Sequence, residues 1–486
     1  MRIVLLVCFL HLLNLSARSQ EQFQRVYGGE SYDQGCAVIQ TPDDGYLIAG
    51  TSGSFGLSSG QLMLIKTDFQ GYEEWRRFYG GEFADQARSM EQTADGNLVI
   101  AGFTETPSLS YQALAVKLTM DGDTIWSRSY GGGEWDFCHQ VAVLPDSGMA
   151  LFGQTFGNGS TEGDFLLIRI DKDGDTLWTK TYGGPEMEIG ESIAVAPDGG
   201  FYLAGSTTSY GAGKVDFYVV RTDALGDTLW TKTFGGIEDD FGYAVAVTID
   251  GGYAVAGGTF SNTPDKSDFV IFKDGGSSQW TRYSAYLGND YWRDIIVEPI
   301  GNITVAGYFT EGGAGLEDMR ITRYGADGIY NGMAVGHGSQ LNDRAYDVKM
   351  TSDGGYIMVG FTQGFMERFE DVYLVKMNNI GETAPSELGV DEISLDGKMF
   401  GVTIGPNPFS IEDPFMIIEN YEGLVSKLDD PLNVRIFNAM GQMVAEQTIA
   451  SGNAKLNAQA LQNGVYSYIL SSGNVILATG KLIRMQ

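Results

Sequence analysis

Seven carboxylates recur at steps of 50 to 53 residues: Asp33, Asp85, Asp136, Glu188, Asp240, Asp290 and Asp343. Three positions beyond each stands a side chain that differs from copy to copy, in order Cys36, Arg88, His139, Glu191, Tyr243, Arg293 and Tyr346, and Trp135 and Trp292 lie beside that row. A carboxylate present in every copy can work on a substrate or accept backbone N–H groups of the glycine-rich segment before it. Its uniformity favours the second use, a structural acidic ring. The varying row is where chemistry can differ. Aromatic faces stack on sugars or peptide side chains, and arginines add bidentate hydrogen bonds, so Arg88, Trp135, His139, Tyr243, Trp292, Arg293 and Tyr346 are the candidate ligand-binding residues. The alternative is that these side chains only plug a channel.

Catalytic sets are scarce. No H-E-x-x-H or paired Cys/His spacing occurs in the sequence. Of the three histidines, His11 lies in an N-terminal apolar run, His337 holds a position where other copies have tyrosine, and only His139 is left to act. The residues therefore predict no catalytic centre and no histidine or thiolate metal site. An enzyme built on this chain would be a hydrolase or lyase using carboxylates of the varying face, Glu191 and Asp294 beside His139 or Arg293. The stretch DKDGDTLWTKTYGG, residues 171–184, opens with three aspartates at alternate positions as an EF-hand loop does, but Tyr182 stands where that loop needs its bidentate carboxylate. Its glycine also directly follows the aspartate, unlike that of a sialidase-type Asp box. It reads most simply as a hairpin turn. No cofactor is expected, calcium being the one left open.

The elements that must position these residues are repeats of the same stretch: KTDFQGYEEWRRFYGG, KLTMDGDTIWSRSYGG and RTDALGDTLWTKTFGG. Ten residues before each acid stands Phe23, Trp75, Trp126, Trp178, Trp230, Trp280 or Met333, and six before stands Tyr27, Tyr79, Tyr130, Tyr182, Phe234, Ser284 or His337. After each acid come an alternating run such as SIAVA, a turn such as PDGG, a second run ending in glycine, and a third carrying Lys66, Lys117, Arg169, Arg221, Lys273, Arg323 or Lys376. Period-two alternation between Asp-Gly turns means strands, and four strands per unit is the signature of a propeller blade. The last unit lacks its fourth strand, whereas EQFQRVYGG near the N-terminus is a fourth strand without a unit. The expected fold is all-β: a seven-bladed β-propeller over residues 20–380, closed by the N-terminal strand, then a small C-terminal β-sandwich. With the first strand innermost, the crossover before it and the loop between second and third strands share one face. Those loops vary, as TFGNGSTEGD against TTSYGAGKVD, so function is expected there. The third-strand acids Asp164, Asp216, Asp268, Asp318 and Asp371 are expected to form ion pairs or caps within blades.

A net charge of −31 repels nucleic acid and anionic lipid as partners. Residues 1–19 read as a cleaved signal peptide: the apolar run from Ile3 to Leu15 is too short to span a bilayer, and Ala17-Arg18-Ser19 fits a cleavage site. No other segment reads as membrane-spanning. Cys36 and Cys138 stand far apart at different repeat positions, so no disulfide is expected.

After Gly381 the pattern stops. Residues 381–399 form a polar linker, and 400–486 carry GPNPFS at 405–410, VRIFNAMGQMV at 434–444, LQNGVYSYIL at 461–470 and a terminal KLIRMQ. In this order at the chain's end they resemble the type A sorting domain of the Bacteroidetes type IX secretion system, with Pro406-Asn407-Pro408-Phe409, Gly441-Gln442 and Asn463-Gly464-Val465-Tyr466 as landmarks. The insert IIENYEGLVSKLDDPLN departs from that pattern. The resemblance implies a seven-strand β-sandwich read by the export machinery, with the protein passing through the periplasm to be released or attached at the outer cell surface. Asp123-Thr124-Ile125, Asp175-Thr176-Leu177 and Asp227-Thr228-Leu229 also resemble the O-glycosylation triplets of exported Bacteroidetes proteins. The combined expectation is a non-enzymatic binding or display module with an extracellular glycan or protein ligand, the alternative being a propeller hydrolase or lyase acting on glycans or peptides.

Overall fold

The computed structural model describes residues 22–383 except 30, 56–59, 109, 158–161, 264–265, 285–287, 311–316, 340 and 365–368, and beyond them 393–395, 398–400, 402–405, 415–418, 425, 431–438, 443–457, 461–472 and 475–484. The signal peptide, most of the linker, the Pro406–Phe409 and Gly441-Gln442 landmarks and parts of the variable loops lie outside the described residues.

Seven four-stranded antiparallel sheets follow one another along the chain. In the first blade the strands are Asp33–Gln40, Tyr46–Ser52, Gln61–Thr67 and Glu73–Tyr79, each paired with the next. The seventh blade has Asp343–Met350, Tyr356–Thr362 and Asp371–Met377 from the end of the repeat array, and its fourth strand is Phe23–Tyr27, in register from Phe23 opposite Lys376 to Tyr27 opposite Val372. The ring is thus a seven-bladed propeller closed by the N-terminal strand, which covers the sheet edge an open array would leave.

Adjacent blades share apolar clusters. One joins Leu47 and Leu64 of the first blade to Leu98 and Ile100 of the second, and another joins Phe23 and Tyr27 to Val38, Ile48, Ile357 and Leu374 across the closure. The hairpin between third and fourth strands is where each blade is latched to its predecessor. In DKDGD, Asp171 Oδ1 accepts the N–H groups of Asp173 and Asp175, both at 2.9 Å, so the turn is closed by its own aspartate. Its glycine carbonyl then accepts the preceding blade's tyrosine: Tyr130 Oη donates to Gly174 at 2.8 Å, and the same bond joins Tyr27 to Gly71, Tyr79 to Gly122 and Tyr182 to Gly226. His337 Nε2 reaches Gly381 O at 2.9 Å in the same way, while Phe234, lacking a hydroxyl, stacks on Phe272 of the next blade. The repeat tryptophan lies under this hairpin: a Cβ on Gly226, which sits at φ +77°, would come within 2.8 Å of Trp178.

The third-strand bases are tied to the turn between the first and second strands, on the same face as the hairpin between third and fourth strands. Lys66 Nζ reaches Asp43 at 2.9 Å and Lys117 reaches Asp95 at 2.7 Å; Arg169–Asp146, Arg221–Asp198, Lys273–Asp250 and Lys376–Asp353 repeat the pair. The sixth blade has Ile300 at the aspartate position, and Arg323 Nη1 donates instead to Asn379 O and Tyr356 Oη.

In the C-terminal region, Val402–Gly405, Phe415–Ile418 and Asn453–Lys455 form one sheet, and Leu432–Phe437, Met443–Ile449, Gly464–Ser472 and Val475–Arg484 form another. Met416 and Ile418 of the first and Val434, Ile436, Tyr468 and Leu470 of the second share one buried cluster, the core of a seven-strand sandwich. Among the described residues no helix is long and apolar enough to cross a membrane.

Candidate functional site

In every blade the pairing of the innermost with the second strand slips three positions past the acid. The shift falls between Gly35 and Ala37, Ala87 and Ser89, Cys138 and Gln140, Gly190 and Ser192, Gly242 and Ala244, Trp292 and Asp294, and Ala345 and Asp347. The skipped residue is the varying one in each case. A bulge inserts one residue without a ladder partner, bends the strand and re-aims the side chain. All seven, Cys36, Arg88, His139, Glu191, Tyr243, Arg293 and Tyr346, line a single central cavity of about 270 Å³. The lining extends from Gln34 and Gln86, one position past the acid, to Glu91 and Lys349, six past it.

The bulge ring carries the cations. Arg293 lies 3.9 Å from the centre of the Tyr243 ring and 5.8 Å from that of Tyr346, a guanidinium held between aromatic faces. Arg88 lies 5.3 Å from the Phe103 ring centre. His139 Nδ1 is 3.5 Å from Glu191 Oε2, too long for a good hydrogen bond. Burial would raise the Glu191 carboxyl, but His139 first and then Arg293 and Arg88 outweigh it and hold the group below its ordinary range. Burial pushes the Cys36 thiol up to about 12, so it is no nucleophile. Among the described residues, Cys36 and Cys138 are both free.

Below the bulge ring the charges turn acidic. Asp347 Oδ1 pairs with Lys349 at 2.8 Å, and Glu91 also lines the cavity. Burial, together with Asp347, pushes Asp294 up to about 7 against the opposing pull of Lys349. These acids also hold the ring together: Asp347 Oδ2 accepts Val38 N–H at 2.7 Å and Asp294 Oδ2 accepts Val348 N–H at 3.0 Å, each from the next blade. Ser89, Gln140 and Ser192 do the same for Val141, Ile193 and Val245. This circumferential belt was not read from the sequence. Its positions lie one past the bulge, and only the register slip shows that the N–H of the next inner strand needs a partner there.

The seven ring acids do not line the cavity. They are buried, and six accept a backbone N–H four residues earlier: Gly29, Gly81, Gly132, Gly184 and Gly236 at 2.7 to 2.9 Å, and Ser339. Asp290 accepts Thr310 N–H at 3.1 Å. The third-strand acids are not paired with the bases five residues on. Asp164, Asp216 and Asp318 instead flank the crossover glycines Gly183, Gly235 and Gly338 together with the next blade's ring acid.

The two tryptophans beside the row part company. Trp292 is only 1% exposed and stacks on Phe269 with ring centres 3.7 Å apart, so it belongs to the seam between the fifth and sixth blades and cannot meet a ligand. It stands two past its acid, where the other blades keep small residues such as Gly242 or Ala345, whereas Trp135 precedes its acid by one. Trp135 is 46% exposed. Its ring edge contacts Tyr111, Phe137 and Phe156 at 5.9 to 6.3 Å, and its carbonyl accepts Phe156 N–H, which places the crossover and the second-to-third-strand loop on one face. Phe137 also meets Phe103 at 4.9 Å and His139 at 6.4 Å, so the aromatic cluster runs from an exposed rim to the channel. Its members Phe103, Tyr111 and Phe156 went unnoticed in the sequence because aromatic residues recur at those offsets in only some of the blades, as Tyr308 and Phe361 do at that of Phe103.

The architecture defines a seven-bladed β-propeller with its variable loops gathered on one face. Residues 404–485 match the family of secretion system C-terminal sorting domains, which marks the chain as cargo of the type IX secretion system, exported to the cell surface or outside. The regulatory protein FlaEY of Caulobacter vibrioides is 29% identical over 212 residues, 37% of this chain and 22% of that one. Among solved structures, PorZ, described as an essential surface component of the type IX secretion system of Porphyromonas gingivalis, is similar at 13% identity and a TM-score of 0.37, covering 90% of this chain and 58% of its own. An alpha-L-arabinanase of Penicillium chrysogenum complexed with arabinobiose is similar at 10% identity and a TM-score of 0.41, covering 75% of this chain and 99% of its own. The chain thus spans about a fifth of the length of FlaEY and under two thirds of PorZ.

Proposed function

We propose that this exported propeller is a non-enzymatic binding module that takes a glycan or peptide on its variable face, at the mouth of the central channel. The observation that carries the reading is the set of seven bulges: each blade keeps the same backbone irregularity and uses it to turn a different side chain into one polar cavity. Bulges placed so consistently at a cavity are positioning devices. The hydrolase or lyase reading needs carboxylates free to face a substrate. Asp294 and Asp347 are engaged with backbone N–H groups of the following blade, and the charge on Glu191 is held by His139 and the two channel arginines. Both supports favour recognition over bond breaking. The test is to present the full-length chain to glycan and peptide arrays and to incubate every retained ligand with it. Retention without product fits a binding module. Cleavage of a retained ligand that is lost on Glu191→Gln would establish the enzyme instead, and retention of nothing would sink the site.

A further inference from the structure

We infer that the ligand is an acidic saccharide, one pyranose ring stacked on Trp135 and the next delivering its carboxylate to Arg88 at the channel mouth with Arg293 behind it. The inference rests on the binding reading above and narrows it. Acids outnumber bases 62 to 31 in this chain, yet among the described residues no carboxylate lies within ion-pair distance of Arg88 or Arg293. Arg169, Arg221 and Arg344, by contrast, each hold one. Arg88 makes only a 3.4 Å contact to Gln86 Oε1 and a face contact with Phe103, and Arg293 has the rings of Tyr243 and Tyr346. The carboxylate of their own ring, Glu191, acts on them only from beyond ion-pair distance, so most of their N–H donors face the cavity in the planar fork that suits a carboxylate. Below them the lining holds three acids, Glu91, Asp294 and Asp347, against the one base Lys349, which Asp347 already pairs, so an anionic group is best placed at the level of the arginines.

The rest of the ligand follows from the path outward. From Arg88 the rings Phe103, Phe137 and Trp135 are in successive contact at 4.9 and 6.3 Å, ending at an exposed indole. An exposed flat ring beside hydrogen-bonding groups suits the apolar face of a pyranose. The cavity of about 270 Å³ has room for one sugar ring, being slightly below the roughly 300–1,000 Å³ of sites for larger ligands. Its lining is mainly polar; Gln34 Nε2 is held by Glu370, Gln86 Oε1 by Arg88 and Gln140 Oε1 by Ile193 N–H, which leaves the Gln86 and Gln140 amide nitrogens for hydroxyls.

The full-length chain is titrated by calorimetry with trigalacturonic acid, with its methyl ester, and with a tripeptide bearing a free C-terminal carboxylate. The acid is expected to bind at least tenfold more tightly than the ester. Arg88→Gln should remove that preference and leave ester binding as it was, while Trp135→Ala should weaken acid and ester alike, by about fivefold for one stacked ring. Equal binding of acid and ester by the native chain would overturn the inference without any variant having to fold. So would binding of the tripeptide with neither saccharide bound, or an acid preference that survives Arg88→Gln. A ligand found on the arrays but indifferent to its carboxylate would leave the binding module standing and remove only this narrowing.

Discussion

Removing residues 20–28 takes away the strand that closes the propeller, and the structure sets the size of the effect. Phe23 and Tyr27 are buried in the seam with the first blade, and Val26 packs on the strand's other face in the seam with the sixth; burial of three such side chains contributes about 6 kcal/mol. Five residues pair with the edge strand from Lys376 to Val372, and at about 1 kcal/mol net for each hydrogen bond the ladder adds about 5 kcal/mol. Freeing the segment returns about 7 kcal/mol of conformational entropy, leaving a net loss of about 4 kcal/mol. In a domain of this size that corresponds to a melting temperature lower by about 5–10 °C, with an exposed edge that invites aggregation. The assay is differential scanning calorimetry of the shortened chain, alone and with a synthetic peptide of sequence EQFQRVYGG. The peptide should restore part of the lost stability, by an amount that grows with the logarithm of its concentration above its Kd, since it binds only the folded ring. An unchanged melting temperature, or a loss that millimolar peptide does not recover, would refute closure by this strand.

Trp178→Ala should cost about 3 kcal/mol in chemical denaturation while leaving ligand binding intact, because the ring lies under the Gly226 hairpin of the next blade, away from the channel; a stable variant with altered binding would reverse the assignment of the faces. Deleting residues 400–486 should leave folded propeller in the periplasm, and its normal appearance in the medium would show that 404–485 is not the export signal. Burial holds the His337 imidazole down at about 4 from an ordinary 6.5, so the unfolded chain binds more protons in that window and the histidine's share of stability, about 3 kcal/mol at most, falls as pH drops from 6.5 to 4. His337→Tyr, which restores the repeat residue, should flatten that fall in melting curves recorded against pH, and an identical pH profile for the two proteins would disprove it.

The sequence by itself determined the ring. A period of 50 to 53 residues, Asp-Gly turns between alternating runs, an incomplete last unit and an orphan strand at the other end leave one economical closure, since hydrogen-bonding geometry rewards pairing the two loose edges. It also marked the C-terminal sorting domain, whose landmarks are local. The candidate channel row was legible as a position that varies while its neighbours repeat. Why that row faces a cavity was not legible, because a bulge is a property of two paired strands and shows as a slip in register; along one strand it leaves only a faint break in alternation, as at Glu191-Ser192-Ile193. Trp292 shows the same limit. Its type suits a binding face, but its position two past the acid points it into the seam, where Phe269 meets it. The tertiary structure also decided which charges are engaged. Lys66 and its counterparts turn to the first hairpin's aspartates, because strand pairing brings residues some twenty positions apart into contact, whereas the channel arginines, carried to the cavity by their bulges, keep aromatic neighbours and feel Glu191 only from beyond ion-pair distance.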